Sequence, residues 1–340
     1  MSAHGLASHQ AGVSLRRPLV YGALIVMLAA AVVASLALGA VKVPVAAVID
    51  TLLGNEVTGP QRQIVETLRL PRTAEAIAVG AALGVAGAIL QGALANPLAS
   101  PDVIGVTGGA GFGAILIIIL FPGSIALLPI GALAFGLFAA ALVFAIAWSG
   151  ANRGSTGKVI LAGIAVLSLF TAGTTGLLAA YPEKAPSAIF FIAGGLTSSG
   201  WEEMNEIWPY FAVGFVAAAF LIRPLDRLAL GDDVAASLGS RPHLIRLGAA
   251  IAAALLAAAS AAIAGLVGFL GLVVPHVVRM AGGTSSHTFV VPASALGGAA
   301  LLVAADTLAR TLRAPIEMPV GPFMAVLGVP LFLWLLRKVV

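Results

Sequence analysis

The sequence predicts an all-α integral membrane protein. Of its 340 residues 60% are hydrophobic and only 9% are charged, against about 25% charged in an average soluble domain. Mean hydropathy is +1.07. Apolar runs recur along nearly the whole chain, many of them about 20 residues long, enough to cross a hydrocarbon core about 30 Å thick as a helix. Barrel strands would instead alternate polar and apolar residues over about 10 positions.

Placing helices by apolar runs and polar breaks gives about ten spans in one transmembrane domain covering 1–340. They lie near 18–41, 72–94, 100–121, 124–148, 158–180, 205–222, 243–265, 273–282, 288–309 and 319–337. The eighth is too short to span alone and follows the glycine-rich GLVGFLGLVVP, the pattern of a half-length helix packed inside protein, where freed backbone groups find partners. YPEKAPSAIFFIAGGLTSSGW at 181–201 reads as a loop carrying a short re-entrant helix near 186–197.

Composition removes several function classes. Cysteine is absent, which excludes disulfides, thiolate metal sites and cysteine nucleophiles. The net charge of +4 is scattered over short connections and forms no nucleic-acid patch. Arg16 and Arg17 precede an apolar run too long for a signal peptide, so an uncleaved first helix is expected.

The lysine and arginine bias orients the chain. With the N-terminus inside, the outer connections hold Lys42, Arg62, Arg69, Arg72, Lys184, Arg310 and Arg313, seven of the eighteen basic residues. Both termini are then cytoplasmic. The outer arginines have two readings. One is headgroup anchoring, with local pairs of Arg72 with Glu75 and of Arg310 with Asp306. The other is a receptor for carboxylates on a partner arriving from outside, since guanidinium groups pair bidentately with carboxylates.

Two apparent nucleotide motifs fail on inspection. GVTGGAGFGAIL at 105–116 has no preceding strand, and its glycines at 105, 109 and 113, like Gly80 and Gly84, repeat every four residues as a smooth packing stripe. In GANRGSTGKVI, Asn152 stands where a phosphate loop needs glycine, and Val159 where it needs Ser or Thr. Any ATP-driven activity therefore belongs to a separate chain. The histidines 4, 9, 243, 276 and 287 share no metal-ligand spacing. His276 begins the short eighth helix, either bonded to freed backbone or facing a cavity. No Ser, His and Asp set suggests an enzyme.

Two inner connections are more informative. ALANPLASPD at 93–102 has prolines at 97 and 101 that keep the second and third helices from fusing. RPLDRLALGDDVAASLGSRPHLIR at 223–246 holds two short helical candidates separated by Gly231 and closed by Gly239, with Asp232 and Asp233 suited to a helix N-terminus. It is either a solvated loop or a surface that receives force from a soluble partner.

Taken together, these residues resemble the FecCD-type permeases of ATP-driven importers for iron chelates, haem and vitamin B12. The matching elements are LRLPR at 68–72, GAALGVAGAILQGALANPLASPDVIGVTGGAG at 80–111, LAGIAV at 161–166, LGDDVAASLG at 230–239, GLVGFLGLVVPHVVRMAGG at 265–283, the Asp306–Arg310 segment and EMPVGPFMAVLGVPLFLWLL at 317–336. The resemblance implies a homodimer of ten-helix subunits in the bacterial inner membrane, with the substrate path between them. Two copies of a cytoplasmic ATPase, which carry ATP and Mg, bind below, and a periplasmic substrate-binding protein docks above. This chain holds no cofactor.

Residue by residue, the resemblance implies that Arg69, Arg72 and Arg310 accept acidic residues of the binding protein, with Arg313 an extra candidate. It implies coupling to the ATPase through Leu230, Gly231, Asp232, Asp233, Ala236, Leu238 and Gly239. It implies inner gates at Asn96 and Leu98 and at Thr156 and Gly157, although Gly157 departs from a pattern in which small hydroxyl residues occur. Ser168, Thr171, Thr174 and Thr175 of the fifth helix, with His276, would line the path. Those hydroxyls have a second reading, bonding back to their own helix carbonyls. A flat amphiphilic macrocycle suits an apolar path with hydroxyls, which favours haem over ferric siderophores and cobalamin. An ion-coupled secondary transporter is the rival class, but it would bury carboxylates near the midplane, and Glu75, Asp102 and Asp306 fall near expected helix ends.

Overall fold

The computed structural model describes residues 3–55, 59–124, 127–149, 156–196 and 200–339, and among these it is helical with no strand. Helix α1 spans Ala3–Ala37 and α2 spans Val45–Leu52. A short α3 (Gln61–Gln63) runs through a π-helical segment (Ile64–Arg69) into α4 (Leu70–Ala93). There follow α5 (Val106–Leu120), α6 (Leu128–Ala147), α7 (Thr156–Ala180), α8 (Ala185–Ala193), α9 (Trp201–Leu228) and α10 (Asp232–Ser237). The chain ends with α11 (Pro242–Ala264), α12 (Leu270–Gly282), α13 (His287–Thr311) and α14 (Val320–Val339). Among the described residues, seven helical stretches are long and apolar enough to cross a membrane, those of α1, α3 with α4, α6, α7, α9, α11 and α13. Helices α5, α12 and α14 are shorter apolar segments.

Helix α4 is the centre of the fold, buried along most of its length against α13, α11, α12 and α9. Its glycines explain how four neighbours fit around one helix. A methyl group at Gly80 would overlap the carbonyl of Gly298, and one at Gly84 the carbonyl of Ser294. Helix backbones are therefore in direct contact, as a small-residue stripe permits. The stripe on α5 does the same against α6, Gly109 facing the Phe135 carbonyl and Gly113 that of Gly131. Helices α1, α7 and α9 instead keep most of their surface outward, with apolar side chains such as Val26, Leu161 and Phe220 exposed.

Several boundaries differ from expectation for physical reasons. The second span begins well before residue 72. The six-residue π segment widens the helix just ahead of Pro71, where a regular α-turn would drive the carbonyl four residues earlier into the pyrrolidine ring. The third begins at Val106 rather than 100, after Gly105 takes a φ of 75° that ends the Ser100–Gly105 turn. The sixth runs to Leu228 through Pro209 and Pro224. Consequently the 223–246 connection contains one short helix, α10, and not two, because its first candidate is the end of α9.

Candidate functional site

One end of the molecule is organised by three arginines, two of them around the last turn of α1. A helix terminus leaves its final carbonyls without intrahelical partners, and each of these is supplied. Leu38 N–H donates to Ala34 O at 2.8 Å and Val43 N–H to Ala37 O at 3.0 Å. Arg69 Nη1 donates to Leu36 O at 2.6 Å and its Nη2 to Val41 O. Arg310 Nη2 donates to Ser35 O, and to Ser35 Oγ at 2.9 Å. Gly39 leaves room for this, since a Cβ there would stand 2.7 Å from Arg69 Nη2.

Arg72 faces the other way. Its Nε and Nη2 hold Asp306 at 2.9–3.2 Å, and its Nη1 donates to Glu317 Oε2 at 2.7 Å. Asp306 is 2% exposed and also lies 3.5 Å from Arg310 Nε, the acidic-first pairing expected along one helix. These contacts join α1, α4 and α13 with the 312–319 connection.

The arginines placed in outer connections are not all exposed. Arg69 is 5% exposed and Arg310 7%, because their five-donor forks satisfy the buried carbonyls of α1. Arg313 is exposed, and Arg72 reaches the surface only at its edge. The expected Arg72–Glu75 pair is also replaced. Glu75 Oε1 accepts from Gly200 N–H at 3.2 Å, while Arg72 turns to α13. Glu317 and Ser35 were not singled out from sequence. Nothing local marks them, since their partners lie 245 and 275 residues away.

The opposite end gathers α10 and the turn after α4. Gly231 (φ 101°) and Gly239 (φ 77°) flank α10 and face open space, a backbone that only glycine adopts without strain. Leu230, Val234 and Leu238 are exposed apolar side chains on and beside α10. Asp232 Oδ2 and Oδ1 accept from Arg246 Nη1 and Nη2 at 2.9 and 2.7 Å. Those hydrogen bonds hold its carboxyl below the usual aspartate range. The same arginine donates through Nε to Ala93 O, at the end of α4, at 3.1 Å.

Three residues beyond Ala93, Asn96 shapes the next turn. Its N–H donates to Gln91 O at 3.1 Å, and its Oδ1 accepts from Leu98 N–H at 2.9 Å, leaving Leu98 outward. Gln91 in turn donates to the Gly271 and Leu272 carbonyls at 3.3 and 3.2 Å and accepts from Arg279. His287, assigned from sequence to a connection, is buried at the start of α13. Its N–H and Nδ1 meet Asp226 Oδ1 at 2.6 and 2.9 Å, so a carboxylate from α9 caps α13.

The remaining candidates fall on α7 and α12. Ser168, Thr171 and Thr175 lie on the exposed side of α7, with Thr174 half-buried. Ser168 donates to Ile164 O at 2.8 Å and Thr175 to Thr171 O at 2.9 Å, the back-bonding alternative. Gly157 is exposed, and the Thr156 side chain lies outside the described residues, as does the end of the expected 186–197 helix. Helix α8 stops at Ala193, where Gly194 takes a φ of 70° and Gly195 N–H donates to Ala264 O at 2.8 Å. His276 is half-buried on α12.

Comparison with known proteins agrees with this architecture. The family model described as the FecCD transport family matches residues 27–338. The Fe(3+)-citrate import system permease protein YfmE of Bacillus subtilis is 37% identical over 308 residues, covering 90% of each chain. The hemin transport system permease protein HmuU of Yersinia pestis is 38% identical over 282 residues, 80% of this chain and 82% of that one. A solved structure described as an inward-facing conformation of a metal-chelate type ABC transporter superposes with a TM-score of 0.83 at 31% identity, over 94% of this chain and 99% of that one. The chain belongs to the FecCD transport family.

Proposed function

We propose that this chain is the permease subunit of an ABC importer that moves a ferric chelate inward. The match over residues 27–338 carries that reading. In it α5, α12 and α14 complete a set of ten spans, α8 is re-entrant, and both termini are cytoplasmic. Two copies form the path between them, each presenting the exposed hydroxyl face of α7. Two ATPase subunits, which hold ATP and Mg, cover the exposed apolar side chains at α10, and an outside binding protein docks on the arginine end.

The arrangement supports a division of labour at that end. Arg72 and Arg313 reach the surface and are proposed to meet the partner's carboxylates. Arg69 and Arg310, committed to α1, hold the platform in place and raise its positive potential. At the other end Asn96, Leu98, Thr156 and Gly157 are proposed as the inner gate, tied to α10 through Ala93, Arg246 and Asp232.

Relatives named for ferric citrate, hydroxamate and hemin make an iron chelate the substrate class. Haem is the first compound to test, because α7 offers hydroxyls on an otherwise apolar surface; ferric siderophores fit the same class. The docking reading is tested by reversing Arg72 and Arg313 to glutamate and measuring capture of the cognate binding protein at low and high salt. Capture should fall in the variant, and in the native protein it should weaken with salt. Unchanged capture without a salt response would defeat it.

A further inference from the structure

The geometry points to Glu317 as an internal carboxylate that occupies Arg72 until the binding protein's own carboxylate takes its place. This rests on the docking reading above and adds an exchange step to it.

Arg72 has two carboxylate partners of very different standing. Asp306 is 2% exposed, gripped by Nε and Nη2, and close to Arg310 as well. Removing it would leave arginines buried without a counter-charge, so it stays. Glu317 is 45% exposed, makes a single contact to Nη1 at 2.7 Å, and sits in the 312–319 connection outside any helix. An exposed single contact is weak and readily exchanged with water or another anion. Thus Nη1 is the donor available to an arriving carboxylate, and Glu317 is what that carboxylate displaces.

The charge balance favours such an exchange. Arg69, Arg72 and Arg310 lie close enough that the field of the first two acts on the third, against Asp306 and Glu317. With Glu317 in place the cluster has one excess positive charge; without it, two. An incoming carboxylate restores the lost neutralisation, whereas a neutral surface does not.

The exchange also has a structural consequence. Three residues after Glu317, Val320 N–H donates to Gly194 O at 2.9 Å, joining the start of α14 to the end of α8. Met318 N–H donates to Ala309 O at 3.3 Å on α13. Releasing Glu317 therefore loosens a connection that runs directly into the α8–α14 junction. Docking would be felt there without any contact between the partner and those helices.

The test measures the affinity of the cognate binding protein for the intact permease–ATPase complex in nanodiscs, comparing native protein with Glu317→Gln, Arg72→Gln and the double variant. Glu317→Gln removes the competitor and should tighten docking by about twofold to fivefold, the scale of an exposed ion pair. Arg72→Gln should weaken docking, and adding Glu317→Gln to it should change nothing further. Unchanged or weakened docking in Glu317→Gln, with Arg72→Gln still impaired, would overturn the exchange and leave the docking surface standing. Native affinity in all three variants would overturn both. Because Arg72→Gln also strips Asp306, Arg72→Lys serves as the folding control, with assembly checked by size-exclusion chromatography.

Discussion

Arg246 grips the Asp232 carboxylate with two nitrogens while its third donates to the carbonyl of Ala93, three residues before Asn96. One side chain thus joins the glycine-flanked helix α10 to the turn proposed as the inner gate. A planar fork is needed, because a lysine ammonium cannot serve three acceptors in fixed directions. Arg246→Lys should leave ATPase binding intact and reduce uptake per ATP hydrolysed by several-fold. Coupled transport and hydrolysis assays in proteoliposomes check this, and a native ratio would count against the link.

The Asp232 end of that link is pH-dependent. Its carboxyl is lowered by Arg246, so the tether contributes stability above the unfolded aspartate value and loses it as pH falls through the lowered folded value. The chain lacks cysteine, so a nitroxide on Ala236→Cys reports α10 alone. Its mobility should stay constant from neutral pH down to the ordinary aspartate range and rise only below it. With Asp232→Asn added, mobility should be high throughout. A rise beginning well above the aspartate range would contradict the assignment.

Gly231 donates its N–H to Leu228 O at 3.0 Å and holds a φ of 101°. Proline has no N–H and fixes φ near −65°. Gly231→Pro should therefore misplace α10 and uncouple hydrolysis from uptake while membrane insertion is retained. Native transport in that variant would show that this connection does not transmit force.

Asp306 is buried between two arginines, and removing one partner of such a cluster leaves uncompensated charge. Asp306→Ala should cost about 3–5 kcal/mol. Thermal unfolding of the purified protein in detergent reads this as a lower transition temperature, and an unchanged transition would mean that Arg72 finds another partner.

How much of this was legible in the sequence depends on distance along the chain. The apolar runs located the helices, and the four-residue glycine spacing in α4 and α5 correctly implied backbone contact, since both are local patterns. The extension of α4 through a π segment was hidden because Pro71 reads as a helix start. The fate of the arginines was hidden for another reason. Positive charge at 69, 72 and 310 looked exposed, and only the folded chain brings the end of α1 to them, with carbonyls that demand donors. Asp306 with Arg310 was readable at four residues; Arg72 with Asp306, at 234, was not.

The central claim is transport driven by a separate ATPase and fed from outside. It is tested most directly in proteoliposomes holding this permease with its cognate ATPase, ATP inside, and ferric chelate with binding protein outside. Uptake should require ATP and the binding protein together, and should fall in the Arg72→Glu, Arg313→Glu variant. Uptake that persists with no ATPase present would contradict the claim and identify a secondary transporter.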